Sequence, residues 1–281
     1  FKIGVKEISN IGYTMKHFYE FYKNKEVKDT MNYAFGINAY FEHIHGIQTL
    51  LREKKINKCV YSKNKCLFKD AYYPLIDYKK TVKNTYSLKS NILITGPNAA
   101  GKTTVLKSTL FNILLSQQIG FGFYRSAKIN LYKYLHCYLN IPDTSGRDSL
   151  FQAEARRCKD ILDKITTSHS KEKHFCIFDE IYSGTNPYEA TASAYSYLEH
   201  LSAQNNVDFM ITTHYIELCN KLNKKNIKNF NMLIHKKDNN IEYTYLLKEG
   251  ISDIKGGINV LKDLGYPEEM IKNTGNYLNN Q

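Results

Sequence analysis

One short segment of the chain has the residue types and spacing of a loop that binds phosphate groups. Glycines at positions 96 and 101 are followed by Lys102 and Thr103, and an apolar run, 92–95, precedes them. This is the pattern G-x-x-x-x-G-K-[ST] between a strand and an amphipathic helix. The glycines let backbone N–H groups face the phosphates, Lys102 would reach the β- and γ-phosphates, and the Thr103 hydroxyl would bind Mg²⁺. The predicted nucleotide-binding loop consists of Gly96, Pro97, Asn98, Ala99, Ala100, Gly101, Lys102, Thr103 and Thr104.

Two adjacent acids, Asp179 and Glu180, end a second apolar run that begins at His174. An aspartate at the end of a strand beside the loop's own strand can hold the Mg²⁺ shell, and a glutamate one residue later can act as the general base that activates water. In isolation, a solvated acidic turn explains the two acids equally well, just as a glycine-containing turn can match the loop pattern by chance. The two motifs together favour a site in which Thr103 and Asp179 bind Mg²⁺.

A third apolar run, 209–212, is followed by Thr213 and His214. A histidine here can contact the γ-phosphate or the attacking water, because its ordinary pKa lies close to neutrality. A histidine after a strand more commonly caps a helix or lies at the surface. The presence of the other two motifs favours a role for His214 in sensing the nucleotide.

The composition is that of a protein with a hydrophobic core, and its positive charge would suit an anionic partner, either nucleic acid or nucleotide. The chain has 281 residues, is 42% hydrophobic and 23% charged, and carries a formal charge of +12. The abundance of Lys, Asn, Ile and Tyr also fits a coding bias toward A and T, which halves the weight of the charge as an argument for nucleic acid. The six cysteines form no C-x-x-C pair, which predicts a reducing, intracellular compartment.

No apolar stretch approaches the roughly 20 residues that a membrane-spanning helix needs, so we expect no membrane association. The chain opens with Phe1 rather than Met, and we expect it to be part of a longer protein.

Hydrophobic spacing divides the chain into three parts. Residues 1–60 are predicted to be helical, because apolar residues recur there every three to four positions. In 61–250, short apolar runs alternate with amphipathic segments, which predicts an α/β domain whose mostly parallel sheet is flanked by helices. Residues 251–281 are predicted to form two short helices. The predicted strands are 92–95, 175–178, 209–212, 231–236 and 241–247, with helices from Lys102, near Pro187 and near Tyr215.

Several of these strings together resemble the ATPase domain of MutS proteins. Residues 145–154 resemble the family's signature loop, with Ser149, Phe151 and Glu154 on its S-T-F-x-x-E pattern. Residues 256–267 resemble the family's C-terminal helix-turn-helix, which other ABC-type ATPases generally lack. The remaining matches are Gly96-Pro97-Asn98, Gln118-Ile119-Gly120, Asp179-Glu180-Ile181, Gly184-Thr185 and Thr213-His214-Tyr215-Ile216-Glu217-Leu218.

The resemblance implies an ABC-type P-loop ATPase domain that binds ATP and Mg²⁺. It would follow an N-terminal helical part of a lever segment and precede a C-terminal helix-turn-helix that supports dimer contact. In the family the ATPase domains pair head to tail, so Ser149 would complete the ATP site of the other subunit, in trans. Glu180 and His214 would be the catalytic residues of the chain's own site. Asn98 would sense the γ-phosphate, Gln118 would belong to the nucleotide-binding set, and residues 183–187 would cross between the two sites.

The implied function is ATP hydrolysis by a homo- or heterodimer, coupled to the binding of mismatched DNA by upstream domains. The expected location is a site of DNA inside a cell, namely a nucleus, a nucleoid or a viral factory. A MutS-like protein that acts in recombination or on DNA junctions is the alternative. The motifs would also fit a different ABC-type protein, namely a chromosome-maintenance head or the nucleotide-binding subunit of a transporter. They would fit, too, a scaffold in recombination that binds ATP without turnover. The C-terminal resemblance argues against a different ABC-type protein, and the complete set of catalytic residues argues against a scaffold.

The sequence departs from the family pattern at several positions. Ala99 and Ala100 replace Met and Gly in the loop, and Tyr182 and Ser183 replace Gly and Arg after the two acids. Where the family stacks adenine on a Phe, this chain has Thr81 or Val82, with Tyr78 as a further candidate for the contact.

Two features of the sequence favour a structural interpretation over a functional one. Phe18-Tyr19-Glu20 copies the string with which mismatch-reading domains of the family contact a mispair. It stands too close to the loop for the intervening domains to fit, so we interpret it as part of an ordinary helix. The lysines of 221–237 could contact DNA without specificity, although a solvated face is the favoured interpretation. These lysines are Lys221, Lys224, Lys225, Lys228, Lys236 and Lys237.

Overall fold

A computed structural model of the chain describes residues 5–63, 66–139, 149–223, 226–237, 240–252, 258, 261–262 and 264–279. The chain divides into two compact units, Phe1–Lys55 and Ile56–Gln281. The helices are α1 Val5–Lys23, α2 Lys25–Arg52, α3 Lys102–Ile119, α4 Leu150–Thr167, α5 Pro187–Ser202, α6 Ile216–Lys221 and α7 Glu268–Asn279. The strands are β1 Asn57–Tyr61, β2 Leu67–Ala71, β3 Asn84–Ser87, β4 Asn91–Thr95, β5 Phe121–Gly122, β6 Ser126–Ile129, β7 Tyr134–Tyr138, β8 His174–Asp179, β9 Val207–Thr212, β10 Ile227–Lys237 and β11 Asn240–Glu249.

The first unit is built from the two helices α1 and α2, as the apolar spacing predicted, but the predicted helical range 1–60 is too long, because α2 ends at Arg52 and strand β1 begins at Asn57. Asn24 separates them, and its side chain accepts hydrogen bonds from the backbone N–H groups of Glu26 at 3.0 Å and Val27 at 3.4 Å. Such a side chain satisfies N–H groups that the first turn of a helix leaves unpaired, so Asn24 starts α2. The string Phe18-Tyr19-Glu20 lies within α1, and all three residues are exposed. Within the described chain, no helix is long and apolar enough to cross a membrane.

The second unit contains the predicted parallel sheet. Its six strands have the order β11-β10-β4-β9-β8-β7, and only the β10–β11 pair is antiparallel. Alternate residues of the central strands face two different hydrophobic clusters. Leu93, Phe178 and Phe209 pack with α4, α5 and α6, whereas Ile92 and Phe175 pack with α3. Both faces of the central strands are therefore buried, which explains their continuous apolar runs.

A second sheet, of five strands in the order β3-β2-β6-β1-β5, covers α3 and was not predicted. Its strands are only two to five residues long, and residues such as Lys69 and Lys128 interrupt their apolar pattern. The sheet is joined to α3 by buried polar contacts. The hydroxyl of Tyr86 lies 2.7 Å from that of Thr109, and Asn112 accepts a hydrogen bond from the N–H of Phe123 at 2.7 Å. These contacts hold α3, and with it the loop at its N-terminus.

Some predictions fall partly on residues that the structure does not describe. The two C-terminal strands are longer than predicted, and they form an antiparallel hairpin whose turn, 238–239, lies outside the described residues. Residues 145–148 of the signature loop and 140–144 before it also lie outside the described residues. So do 224–225 of the lysine run and 253–257, 259–260 and 263 of the C-terminal segment. The helix-turn-helix and the domain limits at 60 and 250 remain predictions.

A pair of histidines joins the edge strand β7 to β8. Nε2 of His136 lies 2.9 Å from Nδ1 of His174, whose Nε2 lies 2.7 Å from the hydroxyl of Ser168. Burial, followed by the charges of His174, Arg157 and Lys164, lowers the pKa of His136 to about 4. Between the two rings one nitrogen must accept, so at least one ring is neutral, and burial makes the neutral form of His136 the one that the folded state favours.

We expect this pair to make the stability of the second unit dependent on pH. Because the pKa of His136 is lower in the folded chain than its ordinary value of 6.5, the unfolded chain takes up the proton first as the pH falls. The free energy of unfolding should therefore decrease between about pH 6.5 and 4, by roughly 1–2 kcal/mol after allowance for the partial exposure of the ring.

Urea unfolding at about pH 7 and about pH 4.5 measures this effect. His136→Asn should flatten the dependence on pH, whereas His235→Asn, at an exposed position on β10, should leave it as in the wild type. Equal pH dependence in the wild type and His136→Asn would contradict the prediction.

Candidate functional site

The three motifs singled out in the sequence meet at the carboxyl ends of β4, β9 and β8. In the sheet, Thr212 of β9 pairs with Ile94 of β4 on one side and with Asp179 of β8 on the other. The glycine-containing loop, the two acids and His214 each follow one of these strands directly. Such an edge of a parallel sheet is a common place for ligands, because the loops that leave parallel strands converge there.

The backbone of the loop requires glycine at two positions. The φ angles of Gly96 and Gly101 are 146° and 93°, values that side chains rarely adopt. A Cβ at Gly96 would also lie 3.3 Å from the Cβ of Met232, and one at Gly101 would lie 3.1 Å from the ring of Tyr245. Gly101 is the N-cap of α3 and provides no side-chain hydrogen bond to the first N–H groups of this helix. The loop therefore presents a helix N-terminus suited to an anion.

Lys102 places a buried ammonium group within this loop. The residue is 6% exposed, and its Nζ donates to the carbonyl oxygens of Gly96 at 2.9 Å and Pro97 at 3.3 Å. Nζ also lies 3.5 Å from Oε1 of Glu180. A buried charge needs such partners. Phosphate oxygens at the loop would offer Lys102 stronger, charge-assisted hydrogen bonds than the two carbonyl groups do.

Asp179 and Thr103 supply oxygen atoms of the kind that Mg²⁺ binds. The Thr103 hydroxyl donates to both carboxylate oxygens of Asp179, at 2.9 and 3.1 Å, and the Thr212 hydroxyl donates to one of them. Mg²⁺ prefers hard oxygen ligands, and in nucleotide sites it takes one or two from the protein together with phosphate oxygens and water. The donor set and the position beside the loop therefore fit this ion.

Glu180 is held in an unusual backbone conformation next to two basic groups. Its φ angle is 52°, and its N–H donates to the carbonyl oxygen of Thr212 at 3.2 Å. One carboxylate oxygen faces Lys102, and the other lies 3.8 Å from Nδ1 of His214. Left-handed residues other than glycine are concentrated at functional sites, where the surrounding structure holds them. The side chain is 33% exposed, so water can reach the carboxylate.

The loop forms one wall of a cavity of about 650 Å³, a size suited to a nucleotide. Thr81 and Val82 line it, as the alignment with the family's adenine contact suggested, whereas Tyr78 is absent from the described lining and its ring packs against that of Tyr72. Tyr245 of β11 also lines the cavity, and its ring lies next to Gly101 of the loop. The remaining aromatic lining residues are Tyr72, Tyr73 and Tyr86.

Asn84 holds Tyr245 in place. Its side-chain amide donates to the carbonyl oxygen of Tyr245 at 3.1 Å and accepts from the N–H of Leu247 at 2.7 Å, which joins β3 to β11. Sequence reasoning missed Tyr245 and Tyr72. With 23 tyrosines in the chain, no local signal distinguishes these two.

Four predicted site residues are absent from the described lining of this cavity. Gly96 and His214 contact the lining residues Lys102 and Glu180, whereas Gln118 and Ser149 have no such contact among those described. Gln118 is exposed near the end of α3, sixteen residues after Lys102 and so about 24 Å along the helix. This position corrects the prediction that Gln118 binds the nucleotide of its own chain. Ser149 is the N-cap of α4, is exposed, and accepts a hydrogen bond from the N–H of Gln152 at 3.3 Å. Among the described residues that line the cavity, Ser149 is absent.

The fold and the site together define a mixed α/β protein with a glycine-containing loop and two acids at the edge of a central, mostly parallel sheet. A family model described as MutS domain V matches residues 92–280 of the chain. The chain belongs to the MutS domain V family.

Curated relatives agree with this assignment. The chain is 30% identical over 211 residues to the DNA mismatch repair protein MutS of Persephonella marina, which covers 73% of this chain and 24% of the relative. It is 26% identical over 264 residues to the protein of the same name from Clostridium tetani, covering 89% and 29%, and 28% identical over 268 residues to that of Aquifex pyrophilus, covering 90% and 31%. The chain thus spans about a quarter to a third of the length of these relatives.

Proposed function

We propose that this chain is the Mg²⁺-dependent ATPase of a MutS-like DNA mismatch-repair protein, and that it hydrolyses ATP as a dimer. One observation carries the proposal: Lys102, Thr103, Asp179 and Glu180 converge on a glycine-containing loop at the edge of the sheet. These are the parts that phosphoryl transfer requires, namely a cation for the phosphates, ligands for a metal ion and a base for water. The membership in the MutS domain V family supports the same conclusion.

In the proposed site, Lys102 exchanges its contacts to the loop carbonyl groups for contacts to the β- and γ-phosphates. Thr103 and Asp179 hold Mg²⁺, which supplies positive charge to the phosphate oxygens when it is bound. Asn98, which lines the cavity from the exposed part of the loop, contacts the γ-phosphate. The N-terminus of α3 stabilises the negative charge of the phosphates.

Glu180 accepts a proton from the water that attacks the γ-phosphorus. Its carboxylate is open to solvent, and Lys102 and His214 flank the two oxygens. His214 is 52% exposed at the rim of the site, where it can report the presence of the γ-phosphate. The base of the nucleotide is proposed to lie between Tyr245 and the wall that includes Thr81 and Val82.

The proposed dimer completes each ATP site with Ser149 of the opposite subunit. The support for this is the exposed position of Ser149 at the N-terminus of α4, together with its absence from the described lining of its own cavity. Residues 183–187 are proposed to cross between the sites, and 251–281 to contribute to the dimer contact. In a longer protein of the size of the relatives, ATP turnover would be coupled to mismatched DNA through other domains.

Nucleotide binding by the purified chain tests this proposal. We expect Lys102→Ala to weaken ATP binding at least tenfold, because the buried ammonium group is the cation nearest to the proposed phosphates. Lys221→Ala, at an exposed position on α6, removes the same charge and should bind ATP like the wild type. Equilibrium binding of a fluorescent ATP analogue with Mg²⁺ measures both affinities, and phosphate release measures turnover.

Equal affinities of the wild type and Lys102→Ala would contradict the proposed site. ATP binding by the wild type without phosphate release from its dimer would contradict the hydrolysis and leave a nucleotide-switched scaffold.

A further inference from the structure

The loop that follows the two acids is seated on the first turns of α4. Glu154 lies in the second turn of this helix and is 3% exposed. Its Oε1 accepts hydrogen bonds from the N–H group of Ser183 at 3.1 Å and from the Ser183 hydroxyl at 2.8 Å. Its Oε2 accepts from the N–H group of Gly184 at 3.0 Å. Both oxygens of one buried carboxylate are therefore used to hold two consecutive residues of the loop.

Close packing joins the same two segments independently of Glu154. A Cβ at Gly184 would lie 2.7 Å from Cγ of Leu150 and 2.7 Å from the backbone nitrogen of Phe151. Only glycine lets the loop approach the helix so closely. The ring of Phe151 also packs on that of Tyr182, with centroids 5.7 Å apart.

The two joined segments lead to the two residues proposed to act in different ATP sites. Ser149 caps the N-terminus of α4, about 7.5 Å along the helix from Glu154. Glu180 stands three residues before Ser183, and both Glu180 and Tyr182 have positive φ angles, 52° and 58°. Backbone in this conformation is strained unless neighbouring contacts hold it. The carboxylate of Glu154 lies between the two functional ends and contacts the loop in three places.

We propose that Glu154 is a positioning residue that fixes the Ser183–Gly184 loop to α4, and thereby sets Glu180 for one ATP site and Ser149 for the opposite site. This inference rests on the proposed function. It predicts that loss of the contacts of Glu154 lowers ATP turnover without lowering ATP affinity, because the phosphate-binding loop and Lys102 take no part in these contacts. It also predicts that both sites of a dimer respond to a change in one chain.

The first test is Glu154→Gln. The glutamine amide keeps the shape of the side chain but has one acceptor oxygen, so its NH₂ group must face an N–H donor of the loop. We expect kcat to fall by about tenfold to a hundredfold, as for a small misplacement of catalytic groups, and the Kd for ATP to change less than about twofold. Asp160→Asn, exposed on the same helix, removes the same charge and should match the wild type in both measurements.

A second variant keeps the test valid if Glu154→Gln fails to fold. Gly184→Ala pushes the loop off Leu150 and leaves the carboxylate intact, and it should lower kcat with the same unchanged Kd. Wild-type kcat in Gly184→Ala, or in a folded Glu154→Gln, overturns the inference. A parallel loss of ATP affinity in both variants also overturns it, because a general structural defect then explains the result. Absence of ATP hydrolysis in the wild type would instead reject the proposed function.

Mixed dimers of two differently tagged copies separate the effect of Glu154 on Glu180 from its effect on Ser149. In one, Glu154→Gln stands in a chain whose partner carries Glu180→Gln, so the only working site uses Glu180 of the altered chain. In the other, Glu154→Gln and Glu180→Gln share a chain, so the only working site uses Ser149 of the altered chain. We expect slower turnover than in a Glu180→Gln/wild-type dimer in both cases. A decrease in one case alone overturns the coupling of the two sites.

Discussion

Replacement of Glu180 with glutamine is expected to stop ATP turnover while ATP binding persists. The amide cannot take the proton of the attacking water, so kcat should fall by about 10²- to 10⁴-fold, the usual contribution of a general base. Binding should remain because Lys102, Thr103 and the loop are unchanged. Loss of the negative charge 3.5 Å from Nζ of Lys102 also removes a competitor of the phosphates for this cation.

The same variant should accumulate a dimer that does not dissociate. If each ATP is enclosed between two subunits, a chain that binds ATP without cleaving it keeps both subunits together. Size-exclusion chromatography with ATP and Mg²⁺ should show this dimer for Glu180→Gln, and single-turnover phosphate release should show the loss of hydrolysis. Glu217→Gln, at an exposed position on α6, makes the same chemical change and should behave as the wild type. Ordinary turnover in Glu180→Gln would refute the role of Glu180 as the base.

The parts of the fold that the sequence predicted are those that depend on neighbouring residues. Continuous apolar runs such as 92–95 and 175–178 indicated central strands, and both lie in the central sheet, separated by β9. The glycines at 96 and 101 indicated the loop, because no other residue fits their φ angles and close contacts. Each of these signals is contained in fewer than ten consecutive residues, which is why the pattern predicted them.

The second sheet and the place of Tyr245 in the cavity could not be predicted in this way. The strands of that sheet are short, and the burial of Phe68 or Tyr124 depends on their distance in space from α3. Tyr245 reaches the cavity because Asn84, 161 residues earlier in the chain, binds its carbonyl oxygen. The prediction that Gln118 belongs to the nucleotide-binding set rests on its resemblance to a family string, and such a resemblance contains no information on distance.

The contact of Glu154 with Ser183 and Gly184 could not be predicted from the sequence either, although both segments match a family pattern. Both segments were recognised from the family pattern, Glu154 in the signature loop and 183–187 in the crossing segment. Their hydrogen bonds were not foreseen, because 29 residues and the whole of β8 separate the partners. The family pattern thus indicated the two candidate segments, while the contact between them is visible only in the folded chain.

Ser149→Ala should abolish hydrolysis in the site of the opposite subunit and leave ATP affinity nearly unchanged. The exposed hydroxyl of Ser149 is proposed to meet the γ-phosphate of the other chain, and removal of one such contact to developing charge lowers kcat by about 10²- to 10³-fold. Ser149 also caps α4, so its loss costs roughly 1 kcal/mol of stability. Ser149→Gly is the matched control for the cap, because glycine at an N-cap costs only a few tenths of a kcal/mol. Both variants should lose hydrolysis to the same extent.

Mixed dimers decide between action in trans and action in cis. If Ser149 acts in trans, a chain with both Ser149→Ala and Glu180→Gln inactivates both sites when it pairs with a wild-type chain. With the two substitutions on different chains, both changes fall on one site, and the other site retains about half of the activity. If Ser149 acts in cis, the two results are exchanged. Phosphate release from the two dimers, each purified through two tags, therefore assigns Ser149 to one subunit's site. Activity in the dimer that carries both substitutions on the same chain would refute the composite site.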